Sequence, residues 1–255
     1  MDPNPLFPPG AALVIGGSGG VGRAVCQALV QAGTDVAFTY RKNAAAAAEV
    51  TQALEAAGRR VASAALELSD GAAVKAFVDK VASDFDRLHT VVLCAGADIS
   101  MSYVADADED EWRRTIDGDL TGSFHVIKSA IPHLRKGGGS IVAMTSAGLL
   151  RHPQKDIFSV VPKAGVEALM RGVAREEGRF GIRANSIALG VIDAGLFDRL
   201  RDRLSDDFVE AMKKNTALRR FGTPQDAAEA ALYLASSRGG FVTGHSLALD
   251  GGFSV

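Results

Sequence analysis

Five glycines in seven residues, Gly16-Gly17-Ser18-Gly19-Gly20-Val21-Gly22, constrain this chain more than any other feature. They stand between a short apolar run, Ala12-Leu13-Val14-Ile15, and an amphipathic stretch from Val21 to Ala32 that stops at Gly33. In a strand–glycine–helix unit, glycines allow a tight turn. They also let backbone N–H groups approach a pyrophosphate at the helix N-terminus. Two registers fit: Gly17-x-Gly19-x-x-Gly22 and Gly16-x-x-x-Gly20-x-Gly22. A Walker-type phosphate loop is excluded, because Arg23 and Ala24 stand where Lys and Ser or Thr are required. A dinucleotide site is therefore expected at Gly16, Ser18, Gly20, Val21 and Gly22.

The rest of the chain repeats the alternation. Val36-Ala37-Phe38, Val61 to Leu66, Thr90 to Cys94, Ser140 to Met144, Ile182 to Ala188 and Ser246 to Leu249 read as further strands. Helical stretches lie between them at 44–57, 71–85, 108–136 and 157–179, with 196–214 charged and helix-compatible. Gly58 ends one helix, Asp70 caps another, and Thr223-Pro224 opens a third with Thr at N-cap and Pro at N1. Strands alternating with helices imply right-handed βαβ units. The expected fold is α/β: a single doubly wound domain with a central parallel seven-stranded sheet flanked by helices. It would span residues 11–255, behind a proline-rich extended or frayed tail at 1–10, with a lid at about 190–214.

Composition narrows the function classes. Lys plus Arg number 28 and Asp plus Glu 30, a net charge of −2, which argues against nucleic-acid binding. No apolar run reaches the ~18 residues of a membrane span. The first residues lack the pattern of a signal peptide. Two cysteines, Cys26 and Cys94, make no disulfide framework. The expected compartment is the cytoplasm. The histidines show no ligand spacing, so no metal is expected.

The second strand chooses between dinucleotides. An NAD site ordinarily offers an acid about 20 residues after the glycines. Here the strand ends Thr39-Tyr40-Arg41-Lys42-Asn43, without one. Arg41 can hold a ribose 2′-phosphate bidentately. NADP(H) is the preferred cofactor, with NAD(H) left open.

With these residues in place, the chain resembles the short-chain dehydrogenase/reductase superfamily, and most of all its 3-oxoacyl-carrier-protein reductase group. Gly16, Gly20 and Gly22, Leu66-Glu67-Leu68-Ser69-Asp70 and Ala95-Gly96 carry the resemblance in the N-terminal half. Leu120-Thr121-Gly122, Pro162-Lys163-Ala164-Gly165, Arg183-Ala184-Asn185-Ser186 and Asp250-Gly251-Gly252 continue it. The resemblance implies a Rossmann fold. It also implies cofactor contacts at Glu67, Leu68, Ala95, Gly96, Lys163 and Ile192. Family catalysis uses Ser, Tyr and Lys, supported by an Asn. Ser146 and Lys163 match the first and third, but the tyrosine position is Ser159 and the Asn position is Asp119. Departures continue at Leu93-Cys94, at Leu189 and at Ala194.

Losing the phenol has a physical cost. A tyrosine with pKa ~10, lowered by a nearby ammonium, can donate a proton to a developing alkoxide. A serine hydroxyl is a far weaker acid and shorter by a ring. A water held by Ser146, Ser159 and Lys163, a side chain such as Tyr103, His152 or Lys155, or the substrate itself would have to replace it. Asp119, if close, would favour the ammonium form of Lys163.

Two main functional readings follow. The first is an atypical NADP(H)-dependent oxidoreductase that reduces a carbonyl or oxidises an alcohol by a non-standard proton path, with catalytic residues Ser146, Lys163, Ser159 and Asp119. The second is a non-catalytic cofactor-binding subunit, pairing with an active relative. A binder of a different nucleotide-like ligand is a third. The partners expected are a small-molecule substrate contacting 97–104, 147–158 and 190–214, and further copies in a homo-tetramer or dimer. A heteromer is left open.

Overall fold

Seven apolar runs pair as seven parallel strands in the computed structural model, which describes residues 5–96, 98–201 and 204–255. Residues 1–4, Ala97, Asp202 and Arg203 lie outside the described residues, as do the side chains of Leu196, Arg199 and Leu200. The start of the expected tail and parts of the expected substrate segments 97–104 and 190–214 therefore fall there. The strands are β1 (Ala11–Ile15), β2 (Asp35–Tyr40), β3 (Val61–Ala65), β4 (Leu88–Leu93), β5 (Gly139–Ser146), β6 (Ile182–Leu189) and β7 (Ser246–Leu249). Their order is β3-β2-β1-β4-β5-β6-β7, every pair parallel.

The central strands are buried on both faces, as a parallel sheet requires. β1 and β4 expose no residue. Side chains alternate between faces. Ala12, Val14, Val36, Phe38 and Val142 form one core with helices α1 (Gly20–Gln31), α2 (Ala44–Glu55) and α9 (Pro224–Ala235). Leu13, Ile15, Val91 and Ile141 form the other with α3 (Gly71–Asp84), α5 (Gly122–Leu134) and α6 (Ile157–Glu177). Between them in sequence lie α4 (Glu109–Thr115), α7 (Leu196–Arg201) and α8 (Asp206–Lys214). α7 and α8 carry a small separate cluster with Phe197, Val209 and Phe221.

Local signals are realised as expected at several ends. Asp70 accepts from Ala72 N and Ala73 N, and Gly58 is left-handed at φ 78°. Thr223 and Asp226 form a reciprocal capping box before α9. The expected helix 108–136 differs. It divides into α4, a π-helical segment Ile116–Thr121, and α5. Thr115 Oγ1 donates to Glu111 O at 2.6 Å and Ser123 Oγ to Asp119 O at 2.5 Å, so hydroxyls bond the helix's own carbonyls on both sides of the bulge. Such back-bonding bends helices.

The N-terminal segment is anchored over residues 5–10. Phe7 is buried and stacks on His89 at 5.5 Å, and Ser237 N donates to Leu6 O. Apolar burial outweighs the fraying that a proline-rich terminus suggests. His89 itself is buried between Thr34 Oγ1 and Thr90 Oγ1, each 2.9 Å away. Burial lowers its pKa to about 4, with the Arg87 charge adding to the effect. The unfolded value is about 6.5. Between these values the unfolded chain binds more protons, so stability falls as pH falls through that window. The expected contribution is about 3 kcal/mol. Urea midpoints at pH 7.5 and 4.5 should therefore diverge less in His89→Gln than in the wild type. An identical divergence would show that His89 stays neutral in neither state or both.

Candidate active site

Strand order reverses beside β1, which pairs with β2 on one side and β4 on the other. In open parallel sheets the ligand crevice forms at the carboxyl ends of strands at such a switch point. Ile15 pairs with Leu93 there, so the glycine turn after β1 lies beside Cys94-Ala95-Gly96 after β4.

The turn is tight enough to need its glycines. Gly16 has φ 81°, Gly16 N is held by Thr39 Oγ1 at 3.1 Å and Gly17 N by Thr39 O at 2.9 Å. A Cβ on Gly22 would lie 2.2 Å from Gly16 O, and one on Gly17 2.5 Å from Phe38 Cβ. α1 starts without a capping side chain and without an acid in its first turn. Its first N–H groups have no intrahelical acceptor. Ser18, Gly20 and Val21 are half-buried around this helix end, and Gly22 is buried. This is a cradle for an anion rather than a site already filled by the protein's own charge. The residues present fit the pyrophosphate of a dinucleotide.

Other predicted contacts surround the cradle. Thr39, whose hydroxyl holds Gly16 N, lies two residues before Arg41. Arg41 is exposed and has no acidic partner among the described residues. Glu67 is exposed and Leu68 half-buried after β3. Leu68 is packed where a Cβ on Gly122 would meet it at 2.6 Å. Gly96 faces open space. Ile192 is buried and bridged to Gly222, and the following Ala194 lies over the start of α1, 2.6 Å from a Cβ placed on Gly20.

Lys163 and Asp119 come together although 44 positions separate them in the chain. Gly165 lets α6 close on the π segment, since a Cβ there would stand 2.7 Å from Leu120 Cδ1. Lys163 Nζ then lies 3.2 Å from Asp119 Oδ2 and donates to Ala95 O at 3.2 Å. Both side chains are largely buried, at 14% and 7% exposure. The ammonium is thereby fixed between β4 and the π segment.

Ser146 ends β5, and its Oγ accepts from Gly148 N at 3.1 Å. That bond leaves the O–H available to donate. A Cβ on Gly148 would meet Val160 Cγ2 at 2.8 Å, Ser146 Oγ at 3.0 Å and Pro153 Cδ at 3.2 Å. Pro153 and the first turn of α6 therefore pack around Gly148, two residues after Ser146. Ser159 is half-buried in that first turn. Cys94 is raised to about 12 by burial, which makes it a poor nucleophile.

The alternative proton sources named from sequence sit farther out. Tyr103 is half exposed, His152 and Lys155 are exposed, and the Lys155 ammonium lies 4.7 Å from the Tyr103 ring centroid. Sequence alone passes over Asp156. It starts α6, three residues before Ser159, and burial raises its carboxyl to about 6 against the pull of His152. That spacing was the only available signal.

A doubly wound sheet with a glycine cradle and a buried lysine at its switch point defines a dinucleotide-binding α/β class. Comparison sharpens this. A family model described as enoyl-(acyl carrier protein) reductase matches residues 16–254. L-Rhamnose 1-dehydrogenase (NAD(P)(+)) of Sphingomonas sp. strain SKA58 is 34% identical over 246 residues, covering 95% of both chains. 3-Oxoacyl-[acyl-carrier-protein] reductase FabG of Staphylococcus aureus is 33% identical over 244 residues, covering 95% of this chain and 97% of its own. A short chain dehydrogenase from Burkholderia cenocepacia J2315, solved in complex with NADP, superposes with a TM-score of 0.90 at 29% identity, covering 99% of this chain and 100% of that one. The chain belongs to the short-chain dehydrogenase/reductase family.

Proposed function

We propose that the chain, one domain from residue 11 to 255, is an NADP(H)-dependent oxidoreductase that interconverts a carbonyl and an alcohol without a phenolic proton donor. The observation that carries this is the meeting of the glycine cradle, the Lys163–Asp119–Ala95 cluster and Ser146 at the carboxyl ends of β1, β4 and β5. A nicotinamide dinucleotide bound there supplies the hydride. Gly16, Ser18, Gly20, Val21 and Gly22 hold the pyrophosphate, Glu67 and Leu68 border the adenine, and Ala95 and Gly96 line the ribose channel. Lys163, fixed by Asp119, meets the ribose hydroxyls, and Ile192 meets the carboxamide. The Ser146 hydroxyl orients the substrate oxygen. Ser159 leaves room beside it.

Arg41 reads the 2′-phosphate. Arg41→Ala is expected to weaken NADPH binding at least tenfold while changing NADH binding little, as read by nucleotide fluorescence titration. Equal NADPH affinity in the variant would remove Arg41 from the site.

The relatives named above suggest two probes: L-rhamnose with NADP⁺ and an acetoacetyl thioester with NADPH. Turnover of either, lost in Ser146→Ala, supports the reading. Tight NADPH binding with no turnover across aldehydes, ketones, sugars and alcohols overturns it. The second reading, a cofactor-binding subunit without catalysis, is favoured by Ser159 together with a lysine already engaged by Asp119 and Ala95. Exposed Trp112 and Phe124 on α4 and α5, with Phe241 near the C-terminus, support assembly as a dimer or tetramer. Light scattering tests that part.

A further inference from the structure

We infer that the Asp156 carboxyl is the acid–base group of this site, giving the proton in reduction and taking it in oxidation. This rests on the oxidoreductase reading above and names the group that replaces the phenol.

Position argues for it first. Asp156 O accepts from Ser159 N at 3.2 Å and Val160 N at 2.9 Å, so Asp156 stands one turn below Ser159. Val160 of the same turn packs on Gly148, whose N–H donates to Ser146 Oγ. From the other side Asp156 is bridged to Ser102, and Ser102 N donates to Lys155 O at 3.2 Å. The residue is thus held between the 98–103 segment and the start of α6, in the corner that contains both serines.

Its hydrogen bonding is unusual. An aspartate at an N-cap ordinarily turns its carboxylate onto the N–H groups of the first turn. Asp156 occupies that position and makes no such bond. Among the described residues no hydrogen bond engages its carboxyl at all. Burial disfavours the charged form of this half-buried carboxyl and raises it to about 6. Both protonation states are then accessible close to neutral pH, as a group that gives and takes a proton requires. The charged and titratable groups around it are His152 and Lys155 on its own loop, Asp98 and Tyr103 on the bridged segment, and Lys163 with Asp119 farther along the cleft.

The step balances. In reduction the carbonyl carbon takes a hydride, with its electron pair, from the reduced nicotinamide. The C=O π electrons move to oxygen, and that oxygen takes the proton from Asp156. The products are the alcohol, the oxidised nicotinamide and the Asp156 carboxylate, which takes a proton from water for the next turnover.

The test uses the full chain with the acetoacetyl thioester and NADPH, or L-rhamnose and NADP⁺. Asp156→Asn is expected to lower kcat about 100-fold or more, with the NADPH dissociation constant within twofold of wild type. Asp156→Glu should recover at least a tenth of the lost rate. In the reducing direction wild-type kcat/KM should fall above pH about 6, a limb that Asp156→Asn lacks. A readout without turnover is the infrared carbonyl band of a protonated carboxyl, titrating near pH 6 in the wild type and missing in Asp156→Asn. If Asp156→Asn fails to fold, the wild-type band and the Asp156→Glu rate decide. An active wild type whose Asp156→Asn variant keeps its rate and pH profile overturns the inference and leaves the oxidoreductase reading standing. A wild type that binds NADPH and turns over nothing overturns both.

Discussion

Lys163→Met is expected to destabilise the protein by about 3–5 kcal/mol and to abolish measurable turnover. The Asp119 side chain is only 7% exposed, and Lys163 Nζ lies 3.2 Å from it. Removing the ammonium takes the Lys163 countercharge, 3.2 Å away, from a buried carboxylate. Ala95 O also loses its donor, at the end of β4 where the cofactor's path begins. The pair itself contributes much less than this loss, because burying two charges costs most of what their attraction returns. The double variant Lys163→Met with Asp119→Leu should therefore regain most of the stability without the activity. Urea denaturation of both variants checks this. If the single variant costs under about 1 kcal/mol, the ion pair is solvated in solution and its burial is not as described.

Gly22→Ala is expected to remove NADPH binding from the measurable range and to cost about 1–3 kcal/mol of stability. Its Cβ would fall 2.2 Å from the backbone oxygen of Gly16, and 2.9 Å from Gly17 Cα. Backbone atoms on a turn locked by Thr39 have little room to yield. The turn must open, and the N–H groups at the start of α1 then lose their common focus. Gly172→Ala is the control. It lies inside α6 with no atom within 4 Å of its Cβ position, so it should stabilise by about 0.5–1 kcal/mol and leave binding unchanged. Titration of both variants with NADPH decides. Retained affinity in Gly22→Ala would mean that the pyrophosphate is held elsewhere.

The two sites differ in how far they could be read beforehand. Gly16, Gly20 and Gly22 are neighbours in the chain, and their use depends on local backbone geometry, so sequence reached them. Asp70, Gly58 and the Thr223–Pro224 start were legible for the same reason: capping is a short-range bond. The Lys163–Asp119 pair was named residue by residue through family likeness, yet its closeness depends on Gly165 letting a helix approach Leu120. Asp156 is not legible in the sequence, because nothing in its chain neighbours announces a buried carboxyl without a hydrogen bond among the described residues.

Sequence by itself determined the alternation of buried strands and amphipathic helices, the parallel sheet it builds and the glycine turn at its first crossover. These follow from periodicity and from conformations only glycine adopts, which act within a few residues. Tertiary structure alone decided the docking of Phe7 on His89, the burial of the lysine–aspartate pair and the burial of the Asp156 carboxyl. Each depends on desolvation, and how much water a side chain loses is set by elements distant in the chain.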